Sequence, residues 1–104
     1  HKREFIKFME ENLKNESEDW IKICYYTELC RLGHSNYLIN LLSGLQNTNY
    51  SVRSATINSL YPVFNKDNYE MIRQQCEAAL VNEQERAIRM GMQELLDTME
   101  RELS

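Results

Sequence analysis

The sequence predicts an all-α chain built from three antiparallel helical hairpins. Three observations carry this. Apolar residues recur at helical spacing in six segments. Only three Gly and one Pro punctuate 104 residues, too few for the turns of a strand-rich fold. The later helix of each pair also repeats one short pattern.

The first helix is expected over Lys2 to Leu13, with Phe5, Phe8, Met9 and Leu13 on one apolar face. A polar break over 15–19 follows, where Ser17 is placed to cap the next helix and Glu18 and Asp19 favour its N-terminal dipole. The second helix, about Glu18 to Leu32, presents Ile21, Cys24, Tyr25 and Leu29, and Gly33 stops it. Ser35 is expected to cap a third helix over Asn36 to Leu45, with Leu38, Leu41, Leu42 and Leu45 inward. After the Asn47-Thr48-Asn49 turn, a fourth helix starts near Ser51 with Val52, Ala55, Thr56, Ser59 and Leu60 on its face, and Pro62 kinks or ends it. Asn65 or Asp67 opens the fifth helix, which carries Met71, Ile72, Cys76, Ala79 and Leu80 and closes at Asn82. The sixth runs from about Glu83 almost to the end, with Ala87, Ile88, Gly91, Met92, Leu95, Leu96 and Met99 inward. Gaps this short make consecutive helices antiparallel neighbours. One domain spanning 1–104 is expected, with hairpins at about 2–32, 35–64 and 67–103.

An internal repeat underlies the hairpins. Ile21-Lys22-Ile23-Cys24 with Leu29, Val52-Arg53-Ser54-Ala55 with Leu60, and Ile88-Arg89-Met90-Gly91 with Leu96 share one form: aliphatic, basic, any residue, small, then an aliphatic residue eight past the first. The copies are offset by 31 and then 36 residues, a period typical of helical-hairpin solenoids. Leu38 to Leu60, LINLLSGLQNTNYSVRSATINSL, resembles a HEAT repeat: a leucine-rich helix, a short polar turn, then a helix opening Val-Arg before a small residue. The likeness is good over 36–61, fair over 69–97 and weak over 5–30. Armadillo-type and other α-hairpin repeats share the pattern. The resemblance implies a right-handed superhelix of three stacked hairpins, with the second helices lining a concave face that binds partners. HEAT turns often carry an Asp that pairs with the following Arg. Asn47 stands in that region, which argues against an ionic ladder.

Composition narrows the function classes. The hydrophobic fraction of 42% is that of a globular chain rather than a disordered one. The net charge is −4, and the acid excess lies in residues 66–104, where nine Asp or Glu face five Lys or Arg. No basic stripe of the kind nucleic acids require is present, and an acidic surface favours a basic partner. No apolar run approaches a membrane span. The chain starts at His1, so a fragment or a lost leader stays open. Three cysteines, Cys24, Cys30 and Cys76, lack metal-site spacing and read as reduced thiols, with Cys24 and Cys76 on core faces and a cytoplasmic location expected. No catalytic motif, cofactor site or small-molecule site is expected. His34 stands alone in a turn. Cys30 has no basic neighbour in sequence except Arg31 and His34, so an inert thiol is expected. The acidic clusters at Glu10-Glu11, 16–19 and 97–102 read as solvated helix surface.

Extending the pattern places positions 2, 5, 6 and 9 of each second helix outward. These are Ile23, Tyr26, Thr27 and Cys30; Ser54, Ile57, Asn58 and Tyr61; and Met90, Gln93, Glu94 and Asp97. Aromatic and aliphatic anchors among polar groups suit a protein interface. The expected activity is therefore binding of a protein partner, with no catalysis. Its most concrete form is an acidic immunity protein that neutralises a cognate nuclease-type bacterial toxin in a contact-dependent inhibition system. The competing expectation is a piece of a larger HEAT-repeat scaffold. A nucleic-acid-binding or lyase-like HEAT protein is the third.

Overall fold

The computed structural model describes residues 1–104 and is entirely helical. Six α-helices run α1 (Lys2–Lys14), α2 (Asp19–Arg31), α3 (Leu38–Leu42), α4 (Tyr50–Leu60), α5 (Tyr69–Asn82) and α6 (Arg86–Leu103). Two 3₁₀ turns, Ser35–Tyr37 and Ser43–Gln46, flank the short α3. The third helix predicted over 36–45 is thus one α-turn and a half between tighter turns. All four of its leucines, Leu38, Leu41, Leu42 and Leu45, are nevertheless buried. No helix is long and apolar enough to cross a membrane.

Helix ends follow their local chemistry. Gly33 ends α2 at φ +97°, with its own N–H on the Cys30 carbonyl and the His34 N–H on that of Leu29, the bonding of a Schellman stop. α4 ends at Leu60, two residues before Pro62. α5 opens after Asn68 rather than Asp67. The Asn65 side chain accepts from the Asp67 and Asn68 N–H groups, and the Asn68 side chain returns a bond to the Val63 carbonyl. Ser17 does not cap α2, whose N-cap is Glu18, and Ser35 opens a 3₁₀ turn instead of an α-helix.

α2 packs on α4, and α4 on α6. α1 lies against α2, α5 lies against α6, and the second 3₁₀ turn lies against both α4 and α5. The Cα envelope measures 38 × 32 × 16 Å, a slab far thinner than it is wide. The main core is continuous from Ile23 on α2 through Ile57 and Leu60 on α4 to Ile72, Met92, Leu95 and Met99. Ile6, Met9 and Leu29 form a smaller cluster beneath α1.

Three sequence assignments are corrected by these contacts. α1 buries Ile6 and Met9, while Phe5 and Phe8 are exposed. α2 buries Ile23 in place of Ile21, and Cys24 is exposed. Met71 on α5 is exposed, whereas Cys76 is fully buried as expected. Burial, with help from nearby Glu77, pushes the Cys76 thiol up to about 12, so it stays protonated and packs as a small apolar side chain.

Candidate functional site

The second helices of the three pairs start alike. Their N-caps are Glu18, Asn49 and Glu85, with φ/ψ of −84°/119°, −87°/118° and −79°/120°. Two residues before each cap, the side chain of Glu16, Asn47 or Glu83 accepts the cap residue's own N–H, at 3.1, 2.9 and 3.0 Å. The first helical bonds also match: Lys22, Arg53 and Arg89 N–H groups reach the Glu18, Asn49 and Glu85 carbonyls. The caps repeat at the spacing of the sequence pattern, 31 and 36 residues. Three unlike stretches of sequence therefore build one turn.

The middle turn is tied to the last by an ion pair. Arg53 Nε lies 2.9 Å from Glu83 Oε1 and its Nη2 3.1 Å from Oε2, a two-point fork. Arg53 Nη1 donates to the Asn47 carbonyl at 2.8 Å, and the corresponding Arg89 Nη1 donates to the Glu83 carbonyl at 3.0 Å. The Glu83 side chain is 3% exposed and that of Arg53 15%. Burial alone would raise the Glu83 carboxyl. The hydrogen bonds from Arg53 and from the Glu85 N–H outweigh it and hold the group below the ordinary carboxylate range. Asn47 also donates to Asp19 at 2.8 Å, so the three turns are linked in series, Asp19 to Asn47 and Arg53 to Glu83. This corrects the expectation from Asn47: Arg53 finds its carboxylate in the following turn, not its own. The offset of 36 that maps Arg53 onto Arg89 also maps Asn47 onto Glu83, so the partner was within reach of the sequence.

The candidate interface residues divide by burial. Ile23 and Ile57, assigned outward by the repeat alignment, are 4% and 3% exposed and lie in the main core. They are not surface anchors. Ile23 Cδ1 sits over Gly44, and Ile57 faces Gly91 of α6. Tyr26, Cys30 and Tyr61 are half-buried against the core; Tyr26 stacks on Tyr37 and Tyr61 meets Phe64 edge-on. Burial raises the Cys30 thiol. Thr27 is half-buried and returns its hydroxyl to the Ile23 carbonyl, and Ser54 is half-buried. Asn58, Met90, Gln93, Glu94 and Asp97 are exposed, and Gln93 donates to Asp97 at 3.0 Å.

Thr27, Asn58 and Glu94 occupy one repeat position on the three neighbouring helices, which places them in a row. α4 carries one charged residue, Arg53, and that one is tied into the turns. The row thus passes from hydroxyl to amide to carboxylate, with Asp97 a turn beyond Glu94. Sequence reasoning missed Trp20, 56% exposed beside Cys24 at the outer edge of α2, because an apolar residue next to an apolar stripe reads as core.

Every buried side-chain N or O has a partner. A cleft of about 300 Å³ is lined by Arg53, Glu83 and the Asn47 and Thr48 carbonyls, which bond to one another, and by Gln46, Asn82, Gln84 and Glu85. No three His, Cys, Asp or Glu side chains converge as metal ligands would. Comparison with protein-family models, curated proteins and solved structures returns no match.

Proposed function

We propose that this chain is a HEAT-like module, a right-handed superhelix of the hairpins α1–α2, α3–α4 and α5–α6, that binds a basic protein partner and performs no catalysis. In its most concrete form it is a cytoplasmic immunity protein covering the RNA-binding cleft of a nuclease-type toxin. The observation that carries the reading is the row Thr27, Asn58 and Glu94, continued by Asp97 and bordered by Tyr61, Tyr26, Met90 and Gln93. It offers the exposed amide of Asn58 and the exposed carboxylates of Glu94 and Asp97 on one helical layer. The repeated turn, with its matched caps and linked side chains, supports the stacked-repeat architecture.

Charge reversal tests it. Glu94→Lys with Asp97→Lys is expected to weaken binding to the proposed nuclease-type toxin domain by about 100-fold, chiefly by slowing association. The melting temperature should stay within a few degrees, since both side chains are exposed. Unchanged affinity in a surface-binding assay would remove these carboxylates from the interface. The alternative of a larger HEAT scaffold is favoured by one observation: both edges of the helical layer expose apolar side chains, Trp20 on α2 and Met90 on α6.

A further inference from the structure

We infer that the α6 edge of the helical layer is a docking surface for the α2 edge of a second copy of this chain, so that molecules stack head to tail. The repeat itself defines the contact. Within the chain, the side of α2 that carries Ile23 is covered at Gly44 and Thr56, and the side of α4 that carries Ile57 is covered by α6 at Gly91. The same side of α6 carries Met90 and Gln93, the repeat counterparts of Ile23 and Ile57, and both are exposed, Met90 at 62%. The opposite side of each second helix is the receiving one. On α4 and α6 it consists of Val52 with Ala55 and Ile88 with Gly91, the first of each pair buried. On α2 it consists of Ile21 and Cys24, half-buried and exposed, with Trp20 beside them.

Charge separates this from a generic sticky edge. Arg53 reaches forward to the carboxylate of the next turn, Glu83. Its counterpart Arg89 donates only to the Leu80 and Glu83 carbonyls and pairs with no carboxylate. The counterpart of Glu83 in the first turn is Glu16, which accepts the Glu18 N–H and has no basic partner. A second copy stacked by the repeat rule brings its Glu16 to Arg89. The chain thus carries, at its two edges, both halves of the link it makes internally. Such a contact joins two different surfaces, so it continues along a stack instead of closing in a dimer. It rests on the packing of α2 on α4 and of α4 on α6, independently of the toxin reading, so either can fail alone.

Sedimentation of the full chain over a concentration series tests it. The wild type is expected to gain mass progressively beyond a dimer. Met90→Glu spoils the α6 edge and Cys24→Arg the α2 edge, both at exposed positions that leave the core untouched. Each variant alone should associate at least about tenfold more weakly. Mixed in equal amounts, they should form a dimer and nothing larger, because one intact edge of each kind remains. A wild type that stays monomeric to about 1 mM, an association worth less than about 4 kcal/mol, overturns the inference. So does a mixture of the variants that fails to pair.

Discussion

Replacing Glu83 by alanine is expected to destabilise the fold by about 3 kcal/mol or more, one of the largest losses any single polar substitution here should cause. The loss comes from what is left behind. Arg53 would keep its charge at 15% side-chain exposure with the Nε and Nη2 donors of its fork emptied, and the Glu85 N–H would lose its acceptor. For a domain this size the melting temperature should fall by more than about 12 °C. Joint replacement, Arg53→Met with Glu83→Leu, should cost far less, because the desolvation of both charges is removed together. The sign of the pH effect is fixed by the depressed Glu83 carboxyl. Its stabilisation is complete above the unfolded carboxylate value, about 4.3. It is lost as pH falls from there through the lower folded value. Glu83→Gln should therefore be less stable than wild type at neutral pH, with the gap closing in acid. Urea titrations at several pH values read both effects, and a pH-independent gap would contradict the assignment.

The second large effect is expected at Gly44. A Cβ built there lies 2.1 Å from Thr56 Oγ1 and 2.8 Å from Ile23 Cδ1. Neither neighbour yields easily. Thr56 is fully buried with its hydroxyl on the Val52 carbonyl at 2.8 Å, and Ile23 is locked in the core. Gly44→Ala should cost about 1–3 kcal/mol by overpacking the place where α2 meets α4. Where space allows, the same change stabilises by about 0.4–1 kcal/mol, so the sign alone is informative. Thr56→Ala removes the nearest clashing atom. The double variant should thus be more stable than the sum of the single losses allows, which a double-mutant cycle measures directly. Additive losses would mean that the tight approach is not the cause.

How much of this was legible follows from how one-sided each helix is. The buried positions of α6, namely Ile88, Met92, Leu95 and Met99, were all read as inward because its other faces are mostly charged or polar, although Ala87, assigned inward with them, is exposed. So were the leucines of 38–45, although the backbone there proved tighter than a plain helix. α2 has apolar or aromatic residues all round, at Trp20, Ile21, Ile23, Cys24, Tyr25, Tyr26, Leu29 and Cys30, so spacing alone could not choose its face. In α1, Ile6-Met9-Leu13 and Phe5-Met9-Leu13 are equally helical stripes, and only the position of α2 decides between them. Ile57 was misplaced for a different reason. The repeat alignment gave equivalent positions one environment, but a middle helix has neighbours on both flanks and an edge helix on one. The position that is exposed at Gln93 is therefore buried at Ile57. The Arg53–Glu83 pair spans two repeats, and reading one turn at a time hides it.

The most direct test of partner binding is titration of this protein into a candidate nuclease-type toxin domain from the same genome, following complex formation and RNA cleavage together at low and at physiological salt. A stoichiometric complex that suppresses cleavage, weakens with salt, and loses about 100-fold in affinity on reversing Glu94 and Asp97 is the expected result. Undiminished cleavage at a molar excess, with no complex at either salt concentration, would contradict it.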